Sequence, residues 1–333
     1  MRKIKIGLLG AGHLGKIHLR LLKEIADFEV IGFYDANAAI AAKVEEEFNV
    51  TAFRSAEELI SACEAIDIVT PTIYHFQEAQ RVLAACKHLF IEKPVTSNSE
   101  EAKVLQGMAI DAMVKIQIGH VERFNPAYLA ASTLGLNPMF IETHRLAEFN
   151  PRGTDVPVVL DLMIHDIDIM LHLVKSKVKS VSASGVAVIS NTPDIANARI
   201  EFENGCTANL TASRISINNM RKTRLFQKDA YISIDFLSKK IEVFSLHDVV
   251  GDDDASGLIL DLGEDRKKKK IEFAAPPVFP TNAIKTELEL FAKSILNDTP
   301  TSVTIDDGVN ALVLAEQIME KVAQNSQRAN LAT

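Results

Sequence analysis

Cysteine is scarce in this 333-residue chain, which carries only Cys63, Cys86 and Cys206. They lie far apart and form no CxxC pair, so neither a disulfide framework nor a zinc site is encoded, and a reducing compartment is expected. Long apolar runs are lacking too: no stretch approaches the roughly 18 uncharged apolar residues that span a bilayer. The apolar run after Met1 is broken by Lys5, and Gly10, Gly12 and Gly15 follow where a signal-peptide cleavage site would be. The expected location is therefore cytoplasmic. Basic charge is not in excess: 36 Lys and Arg stand against 44 Asp and Glu, a net charge of −8. That balance disfavours nucleic acid and anionic membranes as main partners and leaves a small molecule.

What is present fits an ordinary globular protein, with 47% hydrophobic and 24% charged residues, and the length suits two cores rather than one. The first part alternates short apolar runs with helical patterns, the signature of βαβ units. Candidate strands are Lys3–Leu9, Glu29–Tyr34, Thr51–Phe53, Ala65–Thr70, His88–Glu92 and Val114–Gly119, giving six strands of a doubly wound parallel sheet. Ser55 with Glu58, and Ser97 with Glu100, read as capping boxes at helix starts.

The pattern changes near Asn125-Pro126, where Asn125 suits an N-cap and Pro126 the first helical position. A domain boundary is placed there, with residues 1–122 as a dinucleotide-binding domain and 123–333 as an α+β domain for substrate binding and oligomerisation. Beyond it come a strand around Phe140–Leu146 and a helix around Val158–Val174. Alternating segments follow at Ser180–Ile189, Ala196–Phe202, Cys206–Ile215, Arg224–Gln227, Tyr231–Phe236 and Lys240–Phe244, which build a large, mostly antiparallel sheet. Asn204-Gly205 signals a type I′ hairpin turn. Asp252–Asp254 and the basic run Arg266–Lys270 read as a solvated loop and a guarded strand edge, without assigned function. Helices at Asn282–Leu296 and Asp307–Ala323 close the chain, the latter capped by Asp306 or Asp307.

Gly10-Ala11-Gly12-His13-Leu14-Gly15 fits GxGxxG in the context that gives this motif meaning: after an apolar strand, at the opening of a helix, with Asp35 about 20 residues on. Gly10 permits the tight turn, Gly12 leaves room for a pyrophosphate, and Gly15 lets helix and strand pack closely. His13 contributes through its backbone, and Leu14 belongs to the same loop. Asp35 can accept hydrogen bonds from the adenosine ribose, and the following Ala36 and Asn37 supply no arginine for a 2′-phosphate. NAD is therefore the expected cofactor.

Four elements in order resemble the glucose-fructose oxidoreductase/inositol dehydrogenase (Gfo/Idh/MocA) family. They are Thr70-Pro71-Thr72 with His75, then Glu92-Lys93-Pro94, then Gly119 through Arg123-Phe124-Asn125-Pro126, and Asp161-Leu162-Met163-Ile164-His165. The resemblance covers essentially the whole chain and implies an enzyme acting on a sugar, nucleotide-sugar or cyclitol hydroxyl. It implies Lys93, Asp161 and His165 as the catalytic set, with Thr70, Pro71, Thr72, His75, Glu92 and Lys93 along the cofactor and the Lys93–Pro94 bond able to be cis. His165 would be the acid/base, Lys93 would orient the oxygen and stabilise the alkoxide, and Asp161 would hold Lys93 or substrate hydroxyls. Asp161 and His165 are four apart, so on a helix they share a face.

Arg123, Asn125 and Arg145 are candidate substrate contacts, although a salt bridge or a cap explains each equally well. Asp168 and His172 continue the same helical face, but four ligands over three turns are too spread for one ion, so no metal is expected and Asp166, Asp168 and His172 are read as structural or solvent-facing. Within the family, the Gly119–Pro126 and Asp161–Asp168 stretches look most similar to bacterial nucleotide-sugar dehydrogenases, such as those oxidising the 3-hydroxyl of UDP-N-acetylglucosamine. A homodimer or homotetramer is expected. A non-catalytic dinucleotide- or sugar-sensing regulator on the same fold is the alternative, and the intact Lys93 and His165 argue against it.

Overall fold

A computed structural model of the protein describes residues 2–150, 156–249, 258–260, 263 and 268–332, with side chains as far as 325. The acidic cluster at 252–254 and residues 266 and 267 of the basic run lie outside the described residues. Two compact units are formed: Met1–Phe124 with Thr281–Glu316, and Asn125–Pro280 with Gln317–Thr333.

In the first unit β1 (Ile4–Leu9), β2 (Phe28–Tyr34), β3 (Ala65–Ile68), β4 (His88–Glu92) and β5 (Ile116–Gly119) pair in parallel in the order β2-β1-β3-β4-β5. Helices α1 (His13–Glu24), α2 (Ala38–Phe48), α3 (Ala56–Ala62), α4 (Thr72–Ala84) and α5 (Ser99–Ala112) make the connections. The chain leaves β1 for β2 on one side and later returns to β3 on the other, so the order reverses between β1 and β3, the place where such sheets open a ligand crevice.

Two expectations are corrected here. Thr51–Phe53 is not a sixth strand: it makes one bridge, Phe33 with Ala52, because three residues between two helices are too few for a ladder. Its Phe53 ring lies over Gly32, where a β-carbon would sit 2.4 Å from the ring. Ser55 caps α3 through the Glu58 N–H as read, but α5 is capped one residue later than read, by Asn98 accepting from the Glu101 N–H. An amide side chain serves there as well as a hydroxyl.

The second unit begins with α6 (Pro126–Ser132), capped by Asn125, and β6 (Phe140–Leu146). One turn of π-helix, Val159–Met163, leads into α7 (Ile164–Val174). The remaining strands are β7 (Val178–Val186), β8 (Ile195–Phe202), β9 (Thr207–Ser213), β10 (Met220–Gln227), β11 (Ala230–Asp235), β12 (Lys240–Asp248), β13 (Leu258–Leu260) and β14 (Lys269–Ala274). They form a nine-stranded sheet in the order β13-β14-β12-β11-β10-β6-β9-β8-β7, antiparallel throughout except for β6 with β9. Helix α7 packs on β6 and β9.

The β8–β9 hairpin forms at Asn204-Gly205, but not as a type I′ turn, which needs positive φ at both central residues. Only Gly205 is left-handed, at φ +87°, and its N–H donates to Phe202 O at 3.0 Å while Phe202 N–H donates to Cys206 O at 2.9 Å. This is a three-residue loop ended by a glycine, the next hairpin type in order of preference.

The chain closes with α8 (Ala283–Leu296) and α9 (Ile305–Ala332). A division at 122/123 would leave both in the second unit, whereas Thr281–Glu316 joins the first. The cause is packing: Leu288, Phe291 and Ala292 of α8 are buried in one cluster with Ile4, Ile6, Leu8, Phe28 and Phe90. Residues 301–303 also run beside β5, with Thr301 Oγ1 donating to Ile116 O and Ile118 N–H to Val303 O, which covers an otherwise open sheet edge. The cap of α9 is a box made by Thr304 and Asp307, not Asp306 or Asp307 alone: Thr304 N–H donates to the Asp307 carboxylate at 2.8 Å, and Asp307 N–H donates back to Thr304 Oγ1 at 3.2 Å. Among the described residues no helix is long and apolar enough to cross a membrane.

Candidate active site

The glycine loop joins β1 to α1. Gly10 has φ +93°, and a β-carbon there would lie 2.8 Å from the Thr70 nitrogen, so only glycine lets this loop touch the chain leaving β3. A β-carbon on Gly15 would strike Gly10 O at 2.0 Å. Gly12 differs, because nothing lies within 4 Å of the place its β-carbon would take. It is exposed, as are His13 and Leu14, and as the N-cap of α1 it offers no side chain to the free N–H groups of the first turn. An open surface over unpaired amides at the positive end of a helix suits an anion such as a pyrophosphate.

Asp35 follows β2 and is half-buried. Its two carboxylate oxygens accept from the Ala11 and Asn37 N–H groups, each at 2.8 Å, which locks the carboxylate against the glycine loop. Each oxygen keeps a second lone pair, so the group can still accept from a ligand hydroxyl. Asn37, not Asp35, is the cap of α2.

At the end of β3 the Thr70 hydroxyl is buried without a hydrogen-bond partner, so a polar acceptor or donor is wanted at that place. Pro71 and Thr72 begin α4, Pro71 exposed and Thr72 half-buried. His75 is turned inward: Nδ1 lies 2.9 Å from Pro94 O and Nε2 2.9 Å from Thr70 O. Burial holds its pKa below the ordinary value against the pull of those carbonyls, so the neutral ring donates to one of the two. Its side chain thus ties the Thr70 turn to the Lys93–Pro94 turn. The Lys93–Pro94 peptide is cis. Glu92, expected along the cofactor, also turns inward, with Oε2 accepting the Lys93 N–H at 3.2 Å and Oε1 lying 3.3 Å from His18 Nε2.

In the second unit Asp161 lies within the π turn and His165 in the first turn of α7, both half-buried. The Ile164 N–H reaches back five residues to Val159 O, the widened turn that proteins often carry at functional sites. The residues between them and the sheet are structural. Arg145 Nε and Nη2 bind the two oxygens of Asp166 at 3.0 and 2.9 Å, both side chains buried, which ties β6 to α7. Asn125 accepts the Ala127 N–H and donates to Phe236 O. In the first unit Arg123 pairs with Asp307 at 3.2 Å, and that guanidinium with the Thr304 groups holds the Asp307 carboxyl below its usual range although burial opposes it. Arg123, Asn125 and Arg145 thus take the salt-bridge and cap roles open to them in sequence. His172 contributes a ring contact with Tyr128 at 6.2 Å.

One group of residues was not read from the sequence at all: His18, Asp67 and Glu287, buried around Glu92. Their signals were polar interruptions of apolar segments, Asp67 in Ala-Ile-Asp-Ile and His18 among the leucines of α1.

Residues 4–120 match the family model of an oxidoreductase family with an NAD-binding Rossmann fold, and residues 140–232 match the GFO/IDH/MocA C-terminal domain. A UDP-N-acetylglucosamine 3-dehydrogenase of Acidithiobacillus ferrooxidans is 37% identical over 246 residues, which cover 73% of this chain and 78% of that protein. A solved structure of the UDP-N-acetylglucosamine 3-dehydrogenase of that organism aligns with a TM-score of 0.86 at 33% identity, covering 97% of this chain and 98% of the other. The scyllo-inositol dehydrogenase of Lactobacillus casei, solved with NAD(H) and scyllo-inositol, aligns with a TM-score of 0.78 at 22% identity over 97% of this chain and 98% of the other, a likeness of fold.

Proposed function

Because the chain belongs to the Gfo/Idh/MocA oxidoreductase family, we propose that this NAD-dependent dehydrogenase oxidises the 3-hydroxyl of a UDP-N-acetylhexosamine, UDP-N-acetylglucosamine first among them. The observation that carries the proposal is the open Gly12 loop at the uncapped start of α1, beside the unpartnered Thr70 hydroxyl and the locked Asp35 carboxylate. These groups fit a dinucleotide: amides for the pyrophosphate, and a carboxylate that accepts ribose hydroxyls and repels a 2′-phosphate. The choice of sugar is supported by the relative that is 37% identical.

NAD held by the Gly12 loop and Asp35 would supply the hydride acceptor. The protein's part is to handle the proton and the charge. His165 accepts the hydroxyl proton in oxidation and returns it in reduction, a task suited to an imidazole near neutral pH. Lys93 takes the role the family resemblance implies, donating to the substrate oxygen and stabilising the negative charge that develops on it. Asp161 orients sugar hydroxyls. Arg123, Asn125 and Arg145 have no part in this assignment, since each is engaged in a buried contact.

Three free cysteines fit a reducing, cytoplasmic setting. The nine-stranded sheet carries Phe226, Phe244 and Phe273 on partly exposed positions, and a second copy of the chain covering them gives a homodimer or homotetramer.

The test is NADH formation by the purified protein with a panel of UDP-sugars, free aldoses and inositols. Turnover should be highest with UDP-N-acetylglucosamine. Turnover confined to free sugars or cyclitols would refute the substrate, and no turnover with any of them would favour a sensor. Fluorescence titration should show NADH binding more tightly than NADPH, and the reverse order would refute the role of Asp35.

A further inference from the structure

Four ionisable groups of the first unit, on four different elements, meet at one place. His18 of α1 is wholly buried, with Nδ1 2.9 Å from Asp67 Oδ2 on β3 and Nε2 3.3 Å from Glu92 Oε1 on β4. Glu287 of α8 is wholly buried too, and neither of its carboxyl oxygens has a hydrogen-bond partner. The Glu92 carboxylate rests on Gly119 of β5, where a β-carbon would come within 2.8 Å of Oε1. Its other oxygen accepts the Lys93 N–H.

The charges in this cluster follow from its packing. Burial alone would lower the His18 pKa, but Asp67 and Glu92 overcome it and hold the imidazolium well above its ordinary value. Burial raises Asp67, with His18 opposing. Burial also pushes Glu92 up, yet His18 and Lys93 bring it below the usual carboxylate range. Glu287 is driven far up by burial and then by the negative charge of Glu92, so it stays protonated. With the shared proton on His18 and Asp67 ionised, that pair sums to zero. Glu287 adds nothing, and one negative charge remains, on Glu92 against the Lys93 amide.

We propose that His18, Asp67, Glu92 and Glu287 act as one proton-holding unit whose single negative charge stays on Glu92 and fixes the chain at Lys93, making them positioning residues for that lysine. The proposal rests on the reading of Lys93 as the lysine of the reaction. Glu92 alone could rotate in its site. Paired at one oxygen with the His18 imidazolium and holding the Lys93 N–H at the other, over a residue with no side chain, it cannot do so without breaking an ion pair to a buried ring. The groups facing His18 from the packed elements are Asp67 on β3, Glu92 on β4 with Lys93 beyond it, and Glu287 on α8.

The test uses the full chain labelled with nitrogen-15 at histidine. In the unmutated protein the His18 ring should remain doubly protonated through neutral pH. An Asp67→Asn variant should bring its titration down into the assay range, and kcat should then fall by about 10–100-fold as the ring loses its proton, with KM changing far less, since a displaced reacting group costs rate before binding. A His18 titration near the ordinary value of about 6.5 in the unmutated protein, or an Asp67→Asn variant with an unchanged kcat–pH profile, overturns the proposal. Should that variant not fold, Glu287→Gln replaces the protonated carboxyl by an amide of the same shape. It should leave the His18 titration in place, and a large downward shift would show Glu287 charged and refute the assigned state. The histidine titration is read without substrate. Normal turnover by a Lys93→Met variant would sink the functional reading while leaving that titration untouched, so the two failures are distinguishable.

Discussion

Strands β3 and β5 of the five-stranded sheet are buried at every residue, whereas β8 of the nine-stranded sheet alternates buried positions with more open ones. In the first sheet helices close over the strands, so a polar group such as Asp67 survives only inside a compensated cluster. The second sheet keeps a face on which Phe140, Phe226, Tyr231, Phe244 and Phe273 follow one another across strands, with neighbouring ring centroids 5.0 to 5.8 Å apart. Both sheets hold buried charge on an interior strand, Asp67 of β3 against His18 of α1 and Arg145 of β6 against Asp166 of α7, and they differ in the open aromatic face that only the second keeps.

Removing the buried pair of the second unit should have the largest effect. Asp166→Ala removes the bidentate carboxylate from the buried Arg145 guanidinium, and should cost about 3–5 kcal/mol in urea unfolding. Replacing both partners together by apolar residues should cost much less.

His18→Gln should come next, at about 1–3 kcal/mol near neutral pH, since it strips a partner from two buried carboxylates. The pH dependence sharpens the comparison further. His18 has its folded pKa raised above an unfolded value of about 6.5, so its stabilisation is complete below that value and is lost as pH rises through the folded pKa. Asp194 in the second unit is the opposite case: burial would raise it, but the Ser190 hydroxyl and the N–H groups of Val188, Ile189 and Ser190 hold it far below the usual range. Its stabilisation is present above about pH 4 and is lost as pH falls through the folded pKa. Urea midpoints across pH should therefore show His18→Gln flattening the alkaline limb and Asp194→Asn the acid limb, each sparing the other.

The smallest effect on the fold should come from the open face. Phe244→Ser should cost the chain about 0.5–1.5 kcal/mol through lost ring contacts, yet shift sedimentation toward smaller species if a second copy covers that face. Unchanged assembly would place the interface elsewhere.

Much of this molecule is legible in its sequence, and the misses have physical causes. The glycine loop, the Asn125 cap and β6 could be read because each depends on residues close in sequence. The return of α8 to the first unit could not, since its apolar face says that it is buried but not against which sheet. Thr51–Phe53 had the composition of a strand without the length. The inward turn of Glu92 and His75 was hidden because the residues they bind lie on other elements, His18 on α1 for one, and Thr70 and Pro94 for the other. Glu287 sits in a helix pattern where a glutamate is expected to face water, and only the cluster around Glu92 explains its burial.

The most direct measurement is steady-state NAD reduction by the Lys93→Met variant beside the unmutated protein, with the best substrate of the panel. A positioned proton-transfer group contributes about 10²–10⁴ in rate, so kcat should fall by that factor while NADH still binds. Turnover at the unmutated rate would contradict the assignment of Lys93 and, with it, the chemistry proposed for this chain.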